Sequence, residues 1–380
     1  MPAVHAVQVN FVPAPEGLTS AGVFERWPSL PDVAELVAGS GIRVSVIQAA
    51  ARAEHVTRNG IDYHFIDSGG KGVVTSWAGW GRRVAGVLGD IKADIAHVHG
   101  LEFAEAASAI SRHLPQLPIL IQDHANRPPR WWRRSQWRRW YAAAAGVAFT
   151  APEQAQPFTA AGLFEARMPL FAIPESSSRF MPGSHADAQA ETGLRGDPCV
   201  LWVGHLSPGK DPLSVLDGVA RAVSRLPGLQ LWCAFGRAPL LAEVQQRIAR
   251  DARLTGRVHL LGSVAHAHVE RLMQAADVFV SGSHAEGSGY ALLEALACGV
   301  APVVTDIPSF RALTGGGQVG NLWPCSDAAR LADALVDAAS NRATRSQVRA
   351  HFDATLSFAA VGRQWADAYA QLLRGPDVPR

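Results

Sequence analysis

The chain has 380 residues and a formal net charge of +2, with 48% hydrophobic and 18% charged residues. At about 100–200 residues per domain this length predicts two domains, and the composition is that of a globular chain rather than a disordered one. The small net charge excludes a global electrostatic attraction to nucleic acid, so a charged partner would have to be recognised by a local patch.

Short apolar strands alternate with helical patterns along the chain. In the first half, strands are predicted at Ala6–Phe11, Val44–Gln48, Asp94–His99, Pro118–Gln122 and Gly146–Thr150, with a helix at Leu101–His113. In the second half, strands are predicted at Val200–Gly204, Leu229–Ala234, Val258–Leu261, Asp277–Ser281 and Ala301–Thr305. Helices between them are predicted at Pro212–Leu226, Leu240–Ala249, His268–Ala276 and Tyr290–Cys298. This alternation indicates two doubly wound α/β domains, each with a parallel sheet covered by helices on both faces.

A linker is predicted between the two runs of strands. Met168–Gly183 is rich in proline and serine, and a polar stretch continues to about Pro198. We therefore expect an N-terminal domain at residues 1–175 and a C-terminal domain at residues 185–356. The last predicted helix, at residues 357–374, either packs on the second domain or returns to the first.

The four cysteines and the apolar segments predict a cytoplasmic protein. All four lie in the C-terminal half, none in a C-x-x-C pair or at zinc-finger spacing, which indicates reduced thiols. The N-terminus lacks a basic segment followed by an apolar run, so no signal peptide is expected. No stretch of about 18 uncharged apolar residues is present, so no membrane-spanning helix is expected.

The most informative segment is residues 281–299, which leaves an apolar strand, crosses a glycine-rich loop and enters a helix. Glycines let backbone N–H groups approach an oxyanion, and a helix N-terminus adds about half a positive charge. Glu286 and Glu294 flank this loop, and carboxylate oxygens accept hydrogen bonds from sugar hydroxyls. The pattern predicts a sugar-phosphate site beyond a strand end. A solvent-exposed loop with an ordinary surface glutamate is the alternative.

This segment resembles the Glu-x7-Glu motif of retaining GT-B glycosyltransferases, the group 1 or family 4-like enzymes related to sucrose synthase and bacterial mannosyltransferases. Glu286 and Glu294 fall on the two glutamates, and the match continues through Asp306. Arg257–Gly262 and Ala275–Val280 also resemble the family. The resemblance implies a GT-B fold, in which two Rossmann-like domains face each other across a cleft. It also implies a nucleotide-diphosphate sugar as substrate and no cofactor.

The resemblance implies a role for each residue of this segment. Glu294 would bind the ribose of the donor, and Glu286 would face the donor sugar as a catalytic residue. Gly262 would lie against the base. The backbone N–H groups of three residues would hold the diphosphate, namely Gly287, Ser288 and Gly289.

A second family element lies at Val203–Asp211. The family usually carries an arginine and a lysine here, which neutralise the leaving diphosphate, where developing charge needs stabilisation. This chain keeps Lys210 but has His205 in place of the arginine. Because a histidine is at most partly charged near neutral pH, the phosphate contact is weaker for His205 than for Lys210. The alternatives are a solvated turn lysine and a space-filling histidine.

The N-terminal half resembles the family less closely. The usual Gly-Gly turn after the first strand is replaced by isolated glycines, Gly17 and Gly22. Two later strands end in His99 and His124, as in the family. By resemblance His124 would be a catalytic residue that contacts the transferred sugar. For both histidines the alternative is a hydrogen-bonded structural residue.

Arg127–Trp140 contains six arginines, four tryptophans and no acidic residue. Arginine with tryptophan suits an anionic membrane surface, and also suits phosphate or nucleic-acid contacts. A basic helix with core tryptophans and solvated arginines is the alternative. We expect peripheral contact with the inner face of the membrane through residues 127–140, and no nucleic acid as partner. The hydroxyl acceptor is unidentified, with a lipid-linked molecule or a glycan as candidates.

The resemblance implies sugar transfer with retention of anomeric configuration, by front-face attack assisted by the leaving diphosphate. No Asp-x-Asp occurs, so we expect a metal-independent hexosyltransferase with no metal ligands. A nucleotide-sugar epimerase and a non-catalytic sugar-nucleotide-binding module are the alternatives. A nicotinamide dehydrogenase is disfavoured, because no Gly-x-Gly-x-x-Gly follows the first strand of either domain.

Overall fold

The computed structural model describes residues 3–67 and 76–375. Contacts between Cα atoms divide the chain into two units. The N-terminal unit comprises the described parts of Met1–Ser176 and Phe358–Arg380, and the C-terminal unit comprises Ser177–Ser357. No helix among the described residues is both long and apolar enough to cross a membrane.

Strands alternate with helices in both units. The strands are β1 (His5–Asn10), β2 (Arg43–Ala50), β3 (Glu54–Arg58), β4 (Ile61–Asp67), β5 (Ile95–His99), β6 (Ile119–Gln122), β7 (Gly146–Phe149), β8 (Leu170–Ala172), β9 (Cys199–Gly204), β10 (Gln230–Phe235), β11 (Val258–Gly262), β12 (Val278–Ser281), β13 (Ala301–Thr305) and β14 (Asn321–Trp323). The helices are α1 (Ser20–Arg26), α2 (Ser29–Ala38), α3 (Trp77–Asp90), α4 (Ala104–His113), α5 (Arg134–Tyr141), α6 (Pro152–Ala160), α7 (His185–Thr192), α8 (Pro212–Ala222), α9 (Leu241–Ala249), α10 (His266–Ala275), α11 (Tyr290–Ala297), α12 (Pro308–Leu313), α13 (Ala328–Asn341), α14 (Arg345–Thr355) and α15 (Phe358–Arg374).

The N-terminal unit contains an eight-stranded sheet in the order β3-β4-β2-β1-β5-β6-β7-β8. Neighbouring strands run parallel except for β3 and β4, which form an antiparallel pair at the edge. The sequence analysis predicted neither strand of this pair. Strand β3 exposes both faces and lacks an apolar alternation, whereas β4 does alternate, with Ile61, Tyr63 and Phe65 buried. The left-handed residues Asn59 and Gly60 form the turn between them.

Helix α15 completes the N-terminal unit by packing against α2. Its apolar face includes Val361, Trp365 and Tyr369, spaced four residues apart and fully buried. The Tyr369 hydroxyl lies 2.7 Å from Nδ1 of His97, a buried residue of β5. Burying each large side chain contributes roughly 1.5–3 kcal/mol, so this face holds the end of the chain on the N-terminal unit.

The C-terminal unit contains a six-stranded, all-parallel sheet in the order β11-β10-β9-β12-β13-β14. Helix α7 lies in the polar stretch before Pro198, for which the sequence analysis predicted no helix. Ser184 caps this helix, and Gly193 ends it in the left-handed conformation. Its polar composition hid it from sequence reasoning, since Ala188 is its one buried residue.

Candidate functional site

The glycine-rich loop of the C-terminal unit begins where β12 ends, near the middle of the sheet. A Cβ atom at Gly282 would lie 2.9 Å from the Val215 side chain and 3.0 Å from the carbonyl oxygen of Asp211. A side chain is therefore excluded at this point. Because Gly282 has none, the loop approaches the turn that precedes α8, and a hydrogen bond from His284 N to Gly209 O holds the two segments together.

Helix α11 begins immediately after Gly289, which has a φ of 64°. This left-handed conformation favours glycine, and a Cβ atom here would also lie 3.0 Å from Leu313. The predicted diphosphate-binding residues Gly287, Ser288 and Gly289 thus lead directly into the N-terminus of α11. That end of a helix attracts anions through its dipole and its backbone N–H groups.

Lys210 and Glu286 form an ion pair between the turn before α8 and the glycine-rich loop. The two residues lie 76 positions apart in the chain, and both side chains are partly buried. The structure therefore brings a predicted phosphate-binding cation and a predicted catalytic carboxylate together beside the start of α11.

Asp211 fixes the turn that carries Lys210. Its Oδ2 lies 2.9 Å from His284 Nε2 and accepts a hydrogen bond from Ser326 Oγ at 3.0 Å. Its Oδ1 accepts from Ser214 N and caps α8. Burial raises the pKa of the Asp211 carboxyl, but the hydrogen bonds from His284, Ser214 and Ser326 outweigh it and leave the pKa lowered. The carboxylate therefore stays charged and holds three segments of the site together.

His205 follows β9, and its Nδ1 accepts a hydrogen bond from Arg237 N at 3.2 Å. Burial lowers the pKa of His205, and the positive charges of Arg237 and Lys210 lower it further. His205 is therefore neutral at pH 7, and its remaining ring nitrogen carries the proton. Sequence reasoning missed Arg237, an exposed cation that the fold brings close to the position where the family usually has arginine.

Glu294 lies on the second turn of α11 and is buried. Its Oε1 lies 2.6 Å from Nε2 of His266, the first residue of α10. The His266 ring packs against Phe180 with a centroid distance of 5.1 Å. Sequence reasoning missed His266, because it lies 28 positions from Glu294 and no local pattern marks it. Gly262, the predicted base contact, ends β11 with a φ of 73°.

His124 lies in the N-terminal unit, just beyond the end of β6. Its Nδ1 lies 2.6 Å from Oε1 of Glu175, a partner that sequence reasoning missed. Burial lowers the pKa of His124, but the hydrogen bond and charge of Glu175 outweigh it, so the pKa is raised. The His99 ring stacks beside it at 5.5 Å, and burial raises the pKa of the adjacent Asp123 to about 6.

Replacing Glu175 by glutamine is expected to lower the pKa of His124, because the amide keeps the shape of the side chain but not its charge. The imidazolium would then lose its proton at a lower pH than in the wild-type protein. The measurement is an NMR titration of the His124 ring, with Glu153→Gln on α6 as a control for the loss of one carboxylate. An unchanged pKa of His124 in the Glu175 variant would contradict the role of this ion pair.

The basic segment at residues 127–140 combines partly buried and exposed tryptophans. Trp137 and Trp140 pack against the core of the N-terminal unit, whereas Trp131 and Trp132 are 74% and 55% exposed. Arg130 lies over the ring of Trp132 at 5.2 Å. Trp137 and Trp140 therefore fit the alternative in which tryptophans pack on the core. Trp131 and Trp132 instead form an exposed aromatic surface among arginines.

The family model that matches this chain lies within the C-terminal unit. Residues 197–341 match the family model "Glycosyl transferases group 1", which confirms the predicted resemblance. A curated relative from Xanthomonas campestris, GDP-mannose:cellobiosyl-diphosphopolyprenol alpha-mannosyltransferase, is 30% identical over 247 residues. The alignment covers 61% of each chain, so this chain spans about three fifths of that relative's length. A phosphatidyl-myo-inositol mannosyltransferase from Mycobacterium tuberculosis is 31% identical over 182 residues, 46% of each chain.

Solved structures show the fold. A glycosyltransferase from Rickettsia africae superimposes with a TM-score of 0.72 at 13% identity, covering 98% of this chain and 100% of its own. The predicted GT-B fold is confirmed by such neighbours.

Proposed function

We propose, from the match of residues 197–341 to the group 1 glycosyltransferases, that the chain is a glycosyltransferase. It transfers a sugar from a nucleotide-diphosphate donor to a hydroxyl acceptor. The observation that carries the proposal is the Lys210–Glu286 pair beside the glycine-rich loop and the N-terminus of α11. This arrangement places a cation, backbone N–H groups and a carboxylate together, which suits a sugar diphosphate.

Each residue of the site has a proposed role. The diphosphate lies at the start of α11, held by the backbone N–H groups of Gly287, Ser288 and Gly289. Lys210 moves from Glu286 to the diphosphate and stabilises the charge that develops as the glycosidic bond breaks. Neutral His205 donates one hydrogen bond there. Glu294 accepts hydrogen bonds from the ribose, and Gly262 lies against the base. Glu286 contacts the transferred sugar. For His124, in the N-terminal unit, the catalytic role that the family resemblance implies is retained as part of the proposal.

The test is nucleotide release from a panel of UDP-, GDP-, ADP- and TDP-sugars by the full chain. Release from one donor supports the proposal and identifies the base. Binding of a donor without release, in the presence of candidate acceptors, would instead favour a non-catalytic sugar-nucleotide-binding module. Conversion of the donor to another nucleotide sugar without acceptor would indicate an epimerase, an alternative that the relatives do not favour.

Retention of configuration and independence from metal ions form a second part of the proposal. Front-face attack uses the leaving diphosphate to accept the proton of the acceptor hydroxyl, so no side chain has to act as base. Lys210 supplies the positive charge that a metal ion gives to enzymes with an Asp-x-Asp motif, which this sequence lacks. We expect the NMR spectrum of the product to show the anomeric configuration of the donor, and EDTA to leave the rate unchanged. An inverted product, or a rate abolished by EDTA and restored by a divalent ion, would contradict these expectations.

Peripheral contact with the inner face of the membrane is the third part. The Xanthomonas relative is named for an acceptor linked to diphosphopolyprenol, and the exposed Trp131 and Trp132 lie among arginines. Each arginine near an anionic surface contributes about 1 kcal/mol. Reversing the charge of Arg133, Arg134, Arg138 and Arg139 is therefore expected to abolish co-sedimentation with anionic liposomes. Neutral liposomes are the control, and unchanged co-sedimentation of a folded variant would refute the proposal.

A further inference from the structure

Three neighbouring strands of the C-terminal sheet, β10, β9 and β12, end at the edge where the proposed diphosphate site lies. Strand β12 leads into the glycine-rich loop, and β9 leads into His205 and the turn that carries Lys210. Strand β10 ends at Phe235, which lies beside Gly204 of β9, so the segments that follow these two strands are neighbours. Arg237, the second residue after β10, therefore lies at the same edge of the sheet.

The backbone of Arg237 is held against His205. Its N–H group donates a hydrogen bond to His205 Nδ1 at 3.2 Å, and its carbonyl oxygen accepts one from Leu206 N at 3.0 Å. A Cβ atom at Gly236 would lie 3.4 Å from the His205 ring, so the end of β10 approaches this ring closely. Because these contacts use backbone atoms, a change of the Arg237 side chain leaves them in place.

The side chain of Arg237 carries a positive charge that no carboxylate compensates. It is exposed and forms no hydrogen bond or ion pair with any other residue in the described part of the chain. By contrast, Lys210 is paired with Glu286. Burial has the largest effect in lowering the pKa of His205, and the charge of Arg237 has a larger effect than that of Lys210. The guanidinium therefore acts on the His205 ring and on the space beside it.

A bound diphosphate needs more positive charge than Lys210 supplies. Each phosphate of a nucleotide sugar is negatively charged, and cleavage of the glycosidic bond adds charge to the leaving group. When Lys210 turns to the diphosphate, the carboxylate of Glu286 stays nearby and offsets much of its effect. Neutral His205 offers a hydrogen bond but no charge. A guanidinium stays charged at any working pH and presents several N–H donors to phosphate oxygens.

We infer that Arg237 is a phosphate-binding residue of the donor site and supplies there the positive charge that His205 lacks. This role rests on the proposed function, because it requires a nucleoside diphosphate in this site. The arginine that the family usually has would stand at position 205, directly after β9, whereas here the cation comes from the neighbouring strand β10. The roles are complementary: the His205 ring donates a hydrogen bond, and the Arg237 guanidinium brings the charge.

An NMR titration of the full chain, labelled with ¹⁵N-histidine, tests the position of the guanidinium without any ligand. Arg237→Ala is expected to raise the pKa of His205, because it removes a positive charge that disfavours the imidazolium. Lys210 and Glu286, which also act on this ring, stay unchanged. Arg250→Ala, which removes an exposed arginine at the C-terminal end of α9, should leave the pKa as it is. An unchanged pKa of His205 in the Arg237 variant would overturn the inference.

Isothermal titration with UDP, GDP, ADP and TDP tests the ligand. The nucleoside diphosphate that binds the wild-type chain most tightly is then compared across the variants. Arg237→Ala is expected to weaken its binding by about 10- to 100-fold, the usual loss of a hydrogen bond between charged groups. Arg237→Lys should recover part of the affinity, and Arg250→Ala should bind as the wild type does. Wild-type affinity in Arg237→Ala would refute the role of this residue.

A relocated arginine separates a role of the charge from a structural role of the side chain. The double variant His205→Arg with Arg237→Ala returns the cation to the position that the family usually uses. It is expected to bind the nucleoside diphosphate within a few-fold of the wild type, because the charge again faces the diphosphate. If neither this variant nor Arg237→Lys recovers affinity, the loss is structural and the inference is overturned.

The outcomes distinguish this inference from the proposed function. If the wild type binds a nucleoside diphosphate and Arg237→Ala binds it equally well, the role of Arg237 is refuted and the proposed donor site stands. If the wild type binds none of the four nucleotides, the donor site of the proposed function is refuted, and the role of Arg237 with it. That result would hold even where the NMR titration places the guanidinium beside His205.

Discussion

Replacing Lys210 by alanine is expected to slow sugar transfer by about 100- to 1,000-fold, the usual loss when one group that stabilises developing charge is removed. Lys210 is paired with Glu286 in the free protein. The variant therefore loses the cation and also leaves the Glu286 carboxylate uncompensated beside the diphosphate site. Because charge on the leaving group develops in the transition state, kcat should fall more than KM rises.

The measurement is steady-state transfer with the donor that the nucleotide-release panel identifies. Lys92→Ala is the matched control, since it removes an exposed lysine of the N-terminal unit that has no proposed role in binding or catalysis. Lys210→Arg keeps the charge and should recover part of the rate. A Lys210→Ala variant that retains wild-type kcat would show that the leaving group is stabilised elsewhere, with Arg237 as the next cation to test.

Replacing Glu294 by alanine is expected to weaken donor binding by about 10- to 100-fold, because a hydrogen bond to a charged group contributes roughly 1.5–3 kcal/mol. Glu294 is buried on α11, and its Oε1 contacts His266 at 2.6 Å. The carboxylate is therefore held in a fixed position before the ribose arrives. The loss should appear in Kd, measured by isothermal titration with the corresponding nucleoside diphosphate.

A nucleotide without ribose hydroxyls provides the internal control for Glu294. The 2′,3′-dideoxy analogue should bind the wild type and the Glu294→Ala variant with similar affinity, since neither can make the missing hydrogen bonds. Glu243→Ala, at an exposed position on α9, should bind the natural nucleotide as the wild type does. An equal loss of affinity for both nucleotides would show that the substitution disturbs α11 rather than removing a ribose contact.

Many of the strands and helices were predictable because their apolar residues follow a pattern within a short stretch of sequence. Buried parallel strands such as β9 and β13 are short apolar runs, and the helices between them carry an apolar stripe. Strand β3 and helix α7 carry no such pattern, since β3 is largely exposed and α7 is largely polar. Each forms against a neighbour: β3 pairs with β4, and α7 packs against α10.

The candidate site likewise contains residues that the sequence predicted and partners that it did not. Glu286, Glu294 and the glycines between them were predictable because one strand–loop–helix segment holds them at fixed spacing. The partners of these residues were not predictable. His266 reaches Glu294, Glu175 reaches His124 and Arg237 lies beside His205 through contacts that join distant parts of the chain. The neutral state of His99 depends likewise on its burial among other histidines.

The sequence by itself determined the two-unit α/β organisation, the glycine-rich loop and the identity of its flanking carboxylates. Only the tertiary structure decided that Lys210 lies against Glu286, that α15 belongs to the N-terminal unit and that His99 lines a cavity. The physical reason is the separation along the chain over which each kind of interaction acts. Backbone conformation and apolar periodicity are set within about four to twenty residues. Charge pairing, desolvation and cavity shape depend on which distant strands end at the same edge of a sheet.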